Sequence, residues 1–146
     1  MLASARQFQS PASSTLVVSH GEAGFASGGV RLLLRVEGFA AFAVALVLYA
    51  HAGFSWPVFA LLFLSPDLAM LGYLAGPRAG AAVYNAVHTY AVAVPLVVAG
   101  FFAALPALTA AGLILIAHIG FDRALGFGLK YSTAFGDTHL GRNGRQ

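Results

Sequence analysis

The sequence predicts an all-α integral membrane protein, a four-helix up-down bundle with both termini on the cytoplasmic side. Three observations carry that prediction. The 146 residues are 59% hydrophobic and only 9% charged, whereas a soluble domain carries about 25% charged residues. Between Gly38 and Phe121 only Asp67 and Arg78 are fully charged, a stretch that hydrocarbon accommodates and water does not. Finally, the basic residues all fall on one side of the predicted spans.

Residues 1–30 are rich in Ser, Ala and Gly and show no lasting periodicity. A polar run follows Arg6 where a signal peptide would place its apolar core, so the segment reads as a flexible cytoplasmic tail. The membrane domain is expected over 31–126. Its four apolar stretches, 32–50, 57–75, 79–105 and 106–125, each approach the ~20 residues that cross ~30 Å of hydrocarbon. They are joined by HAGFSW, by the GPRAG turn around Arg78, and by a break at Leu105-Pro106. Links this short make successive helices antiparallel.

The second stretch contains LLFLSPDLAMLGYL. Pro66 has no N–H, so the Leu62 carbonyl loses its helical partner, and the helix is expected to kink or break there. Ser65, Pro66 and Asp67 also read as a helix start, with Ser65 as N-cap and an acid in the first turn of a half-helix reaching Tyr73. Irregular backbone at membrane depth requires protein or a wet cavity beside it.

Arg6, Arg31 and Arg35 precede or open the first helix. Arg78 sits in the second connection, and Arg123, Lys130, Arg142 and Arg145 close the chain. The positive-inside rule makes that side cytoplasmic and predicts a multi-pass protein of the cytoplasmic (inner) membrane, with the lipid bilayer as its partner. A net charge of +3 and a pI near 9.7 do not imply nucleic acid, because the basic residues form no dense run. The absence of Cys excludes disulfides, thiolate ligands and Cys nucleophiles.

Asp67 and His88 each lie about nine residues from the cytoplasmic ends of helices two and three, hence ~13 Å deep at ~1.5 Å per residue. His118 comes to a similar depth on helix four, with Asp122 one turn nearer the cytoplasm and on the same face at i+4. Asn85 and Tyr84 share a face with His88 within one turn. Arg35 and Glu37 belong at the interface, with Glu37 snorkelled or paired to Arg. The convergence predicts a polar pocket opening to the cytoplasm.

Several readings follow. The pairs His118/Asp122 and His88/Asn85/Tyr84 can be interhelical hydrogen-bond glue. They can instead bind a divalent metal (Zn, Mn or Fe) through Asp67, His88, His118 and Asp122, with His139 or Asp137 folding back from the tail. A transporter or proton relay would also place Asp and His beside a broken helix. A non-catalytic accessory subunit of a larger membrane complex, or a homo-oligomer, would use small residues such as Ala41 and Ala45 for close helix approach. The leading functional expectation is a metal-dependent site acting on a lipid or phosphorylated small molecule. Asp67, His88, His118 and Asp122 would be catalytic, and Tyr84, Asn85, Lys130 and His139 would contribute to binding. The segment 127–146 is too polar and Gly-rich to span but keeps Phe127, Leu129, Tyr131, Phe135 and Leu140. It is expected to cap the pocket or to anchor helix four at the interface.

The runs PDLAMLGYLAGPRAG, YNAVHTY, AHIGFDRALGFGLKY and FGDTHLGR together resemble an uncharacterised family of small bacterial integral membrane proteins known only as a domain of unknown function. The resemblance covers roughly residues 35–142. It implies a four-helix membrane protein whose signature residues are Asp67, Asn85, His88, His118, Asp122, Arg123, Lys130, Tyr131, Asp137 and His139, and it implies no reaction.

Overall fold

The computed structural model describes residues 24–142, so most of the expected N-terminal tail lies outside the described residues. Four helical stretches have the length and apolar composition of membrane spans: Gly28–His51, Trp56–Ala75, Pro77–Phe102 and Pro106–Leu125. Their outer faces carry Leu32, Leu33, Val36, Phe39, Leu61, Leu71, Phe101 and Phe102, all well exposed. A soluble monomer rarely exposes so broad an apolar surface, whereas acyl chains cover it without penalty.

The first span is one helix, α1 (Gly28–His51), which begins slightly ahead of the expected boundary. The second is divided into α2 (Trp56–Phe63) and a 3₁₀ segment (Ser65–Ala75). The third is divided into α3 (Pro77–Val87) and α4 (Tyr90–Phe102), and the fourth is the continuous α5 (Pro106–Leu125).

The expected break at Pro66 is present, but the chain solves it differently from the predicted cap. Ser65 caps nothing; its Oγ donates to the Leu62 carbonyl at 2.7 Å, the acceptor that Pro66 leaves without an N–H. Downstream, the chain tightens into eleven residues of 3₁₀ rather than an α-helix. Such runs rarely exceed three or four residues, and inside a longer helix they mark a hinge or a strained site. Its support is tertiary: Tyr73 lies flat against Gly80 of α3, where a Cβ would fall about 2.2 Å from the ring.

The third span also departs from expectation, because 79–105 is not one helix. It breaks at His88-Thr89, and α4 restarts with the Thr89 side chain accepting from the Ala91 N–H at 3.2 Å. The His88 carbonyl, freed by the break, accepts from Arg123 Nη2 at 3.2 Å. Two of the groups freed at the discontinuity, the Ala91 N–H and the His88 carbonyl, thus have partners within the protein.

Helix α5 is the buried axis, packed between α1 and α4. Gly120 meets the backbone of Gly38 and Phe42 in α1, Gly112 meets Ala93 and Val97 in α4, and Gly100 of α4 meets Thr109. Ala45 is buried within the chain, and α1 approaches α5 closely at Gly38 and Gly120. At the far end of α1, Tyr49 packs against Phe54, Trp56 and Phe59 and donates to the Ser55 carbonyl at 2.8 Å.

After α5 the chain folds back. Gly126 takes the left-handed conformation that ends the helix, and β1 (Asp137–Thr138) pairs antiparallel with β2 (Gly141–Arg142). Residues 24–27 dock on this segment, through Ala26 N–H to the His139 carbonyl at 2.8 Å and Tyr131 Oη to the Gly24 carbonyl at 3.1 Å.

Candidate metal centre

Each of the two breaks delivers one side chain to the same point. Asp67 stands in the first turn of the 3₁₀ segment and His88 at the C-terminal end of α3. The unbroken α5 supplies His118 and Asp122 one turn apart on one face. The His88 and His118 Nε2 atoms are 3.1 Å apart. Asp67 Oδ1 lies 3.6 Å from each of them, and Asp122 Oδ2 lies 3.8 Å from each. All four donor atoms fall within 4.8 Å of one another.

The two imidazoles stand within hydrogen-bond reach of each other, but the carboxylates stand outside that reach of either ring. A carboxylate that hydrogen-bonds an imidazole does so at about 2.7–3.2 Å, so 3.6–3.8 Å is too long for that. Donors that share a tetrahedral ion at about 2.0–2.2 Å lie roughly 3.3–3.6 Å apart, close to the observed edges. Moreover, neither carboxylate has a Lys or Arg within salt-bridge distance among the described residues. The four donors, two imidazoles and two carboxylates, could therefore hold a metal ion.

The surrounding contacts orient the donors. His88 Nδ1 lies 2.9 Å from the Tyr84 carbonyl; only an N–H can bond there, so Nε2 turns its lone pair inward. The Tyr84 ring stacks on the His88 ring at 3.6 Å, and its hydroxyl donates to Asp122 Oδ2 at 3.2 Å. His118 is placed by packing instead. Phe63 meets its ring edge-on at 5.5 Å, and its Nδ1 is buried without a partner among the described residues. The side chains of His118 and His88 are 1% and 3% exposed and that of Asp122 16%, whereas Asp67 is 36% exposed. The accessible side of the cluster is therefore the Asp67 side.

Asn85 lies outside the cluster. Its amide pairs twice with the Lys130 backbone, donating to the carbonyl and accepting from the N–H, both at 2.8 Å. This double bond between side chain and backbone clamps the C-terminal segment onto α3. Lys130 Nζ then reaches back over the Phe135 ring (3.6 Å), the Tyr84 ring (4.8 Å) and the Tyr73 ring (5.8 Å), and donates to the Phe135 carbonyl at 2.9 Å. Burial pulls the Lys130 amine below its ordinary pKa, against the opposing pull of Asp122 and Asp67. Lys130, Phe135, Tyr84, Asp67 and Asp122 share one cavity of about 120 Å³. Tyr73 is the member of this aromatic cage that sequence reasoning passed over, since one Tyr in an apolar run carries no signal of its own.

His139 and Asp137, the expected additional ligands, are engaged elsewhere. The Leu129 N–H donates to His139 Nδ1 at 2.9 Å, which makes Nε2 the N–H of the neutral ring, and the Arg123 guanidinium lies against that ring through Nη1. Asp137 accepts from Thr133 Oγ1 at 2.7 Å and Arg142 Nε at 2.8 Å, which hold its carboxyl below the usual carboxylate range. Glu37 is exposed and forms no ion pair among the described residues, whereas Arg35 Nε donates to the Ala124 carbonyl at 2.8 Å.

Burial, then the neighbouring Arg123 cation, pushes the His139 pKa down. A His with a folded pKa below its unfolded value of about 6.5 contributes stability above pH ~6.5, and loses it as pH falls toward the folded value. Protonation would also remove the acceptor for the Leu129 amide. The hydrogen-exchange protection factor of that amide is accordingly expected to fall between pH 7.5 and 5.5, and to lose its pH dependence in His139→Gln. A flat wild-type profile would contradict the assignment.

Residues 31–143 match the model of a family described as a domain of unknown function, DUF4260. The chain belongs to that family. The match spans every donor of the cluster and the whole folded C-terminal segment. No curated protein and no solved structure matches the chain.

Proposed function

We propose that the protein is a multi-pass protein of the cytoplasmic membrane, with both termini inside, whose Asp67, His88, His118 and Asp122 hold a divalent ion (Zn, Mn or Fe). We further propose that this centre hydrolyses an ester or phosphoester of a lipid or a phosphorylated small molecule. The observation that carries the reading is the convergence of four donor atoms from three separate spans, at spacings suited to one shared ion. Such an ion activates water near neutral pH and polarises a phosphoryl or carbonyl oxygen.

The roles follow from exposure and contacts. His88, His118 and Asp122, the buried donors, would hold the ion as a two-imidazole, one-carboxylate set. Asp67, on the accessible side, would lend the ion a further carboxylate oxygen and is placed to take the proton of the attacking water. The water oxygen bonds to phosphorus or carbonyl carbon, the bond to the leaving oxygen breaks, and that oxygen collects the proton from Asp67. Lys130, at the wall of the same cavity, suits an anionic group entering from the cytoplasm.

A second reading, ion or proton transport, is favoured by one observation: spans two and three are both broken beside the cluster. Elemental analysis separates the two. After metal supplementation, detergent-purified wild-type protein is expected to carry about one divalent ion per chain, and Asp67→Asn to retain most of it. A wild type without stoichiometric metal sinks the hydrolase reading. A proteoliposome flux abolished by Asp67→Asn would support transport.

A further inference from the structure

A second cavity, of about 290 Å³, lies in the apolar part of the bundle, away from Lys130. Its walls are Leu62, Ser65 and Pro66 of span two, Val87 and Leu96 of span three, and Ala111, Ile114 and Leu115 of α5. Two features connect it to the metal cluster. Pro66 and Val87 immediately precede Asp67 and His88 in the chain. On α5, Ile114 and Leu115 stand one turn before His118, and Ala111 two turns before it, on the same face. The four donors therefore lie between a polar cavity edged by Lys130 and an apolar crevice descending about 10 Å from His118 to Ala111.

The crevice exists because both neighbouring spans are broken. Span two packs through its 3₁₀ segment on α3 and through α2 on α5, and leaves a gap toward α4. The gap is walled almost wholly by hydrocarbon side chains and opens outward in a chain built to sit in lipid. Water gains no partners there, whereas an acyl chain of the surrounding bilayer enters from an equally apolar medium without a desolvation cost. The medium around an opening at this depth consists of acyl chains.

We propose that this crevice takes the acyl chain of a lipid ester or phosphoester, with the scissile group at the Asp67–His88–His118–Asp122 cluster and the anionic head toward Lys130. The inference rests on the hydrolase reading and narrows its substrate from a lipid or small phosphorylated molecule to a lipid. Ser65 and Pro66, which make the break, thereby both aim Asp67 and form one lip of the crevice. Ala111 is an exposed member of the crevice wall, where a larger side chain fills the space without entering the α1–α5 packing.

The test uses full-length protein in nanodiscs doped with an anionic phospholipid that carries a diazirine midway along one chain. Labelling mapped by mass spectrometry is expected to be enriched at least several-fold at Ile114 and Leu115 over the outward residues Val44 and Val47 of α1. In Ala111→Phe the enrichment is expected to vanish while metal content stays at about one ion per chain. Equal labelling of crevice and outer face would overturn the inference and leave the metal reading standing, as would enrichment that survives Ala111→Phe. Cross-links between chains through residues 111–115 would overturn it in favour of a second copy covering the crevice. Enrichment without bound metal would uphold an acyl-chain site and sink the hydrolase reading on which the scissile-group placement rests.

Discussion

Replacing His118 with Ala is expected to abolish stoichiometric metal binding and, with it, the metal-dependent part of the protein's stability. His118 Nε2 lies 3.1 Å from His88 Nε2, 3.6 Å from Asp67 and 3.8 Å from Asp122, so its removal opens the cage from the buried side. An ion that binds only the folded state stabilises it by about 2.7 kcal/mol when present at 100 times its Kd. Wild-type protein in detergent should therefore melt several degrees higher with added Zn²⁺ or Mn²⁺ than with chelator, and the variant should melt at one temperature in both. The variant also loses a side chain that is 1% exposed and packed on Phe63, which costs about 2–3 kcal/mol as a cavity. That second loss appears in chelator too, so the ion's contribution is the difference between the two conditions. A metal-dependent shift of equal size in variant and wild type would exclude His118 as a ligand.

The fold was legible in the sequence because lipid imposes so strict a composition. The apolar runs and the position of Arg78 follow from what hydrocarbon tolerates, and the first of the two breaks follows from Pro66. The candidate site was legible for the same reason: Asp67, His88, His118 and Asp122 are costly at that depth unless they meet, and they do. What remained hidden was backbone and tertiary detail. The break at His88-Thr89 has neither Pro nor Gly to announce it. Its local sign is Thr89, an N-cap residue within an apolar run, and its support comes from Arg123, 35 residues away. Likewise His139 has the chemistry of a ligand, but Arg123 and the Leu129 amide hold its ring. Sequence gives the donor types, whereas the path of the chain after α5 decides which donors arrive. Asn85 shows the same limit: its spacing places it beside His88, yet its amide clamps Lys130.

The clamp and the two breaks also explain why residues around the cluster serve two purposes. Tyr84 gives its carbonyl to His88, its hydroxyl to Asp122 and its ring face to Lys130. Arg123 holds the freed His88 carbonyl with one nitrogen and the His139 ring with another. The cap and the broken spans are thus tied together through the residues that aim the donors, so displacing the C-terminal segment should disturb the cluster as well as uncover it.

Gly120→Leu is the substitution outside the cluster with the largest expected effect. Gly120 lies between His118 and Asp122 in sequence but faces α1, where a Cβ would sit 2.6 Å from the Phe42 nitrogen and 2.7 Å from the Gly38 carbonyl oxygen. These neighbours are backbone atoms, which have no rotamer to yield, so α1 itself must move away from α5. Helices in lipid gain little from the hydrophobic effect between them and depend on this closeness for dispersion and weak Cα–H···O contacts. Overpacking a well-filled interior costs about 1–3 kcal/mol, and the rigidity of this crossing places the substitution at or above the upper end. Tilting α5 also swings His118 and Asp122 against Asp67 and His88, so metal occupancy should fall together with the melting temperature. Val44→Leu, on the exposed face of α1, serves as control and should stay within about 0.5 kcal/mol of wild type. Trp56, the chain's single Trp and a neighbour of Tyr49 at the end of α1, reports both melts by its fluorescence. A Gly120→Leu variant that melts and binds metal as the control does would show that α1 and α5 do not cross at Gly38 and Gly120.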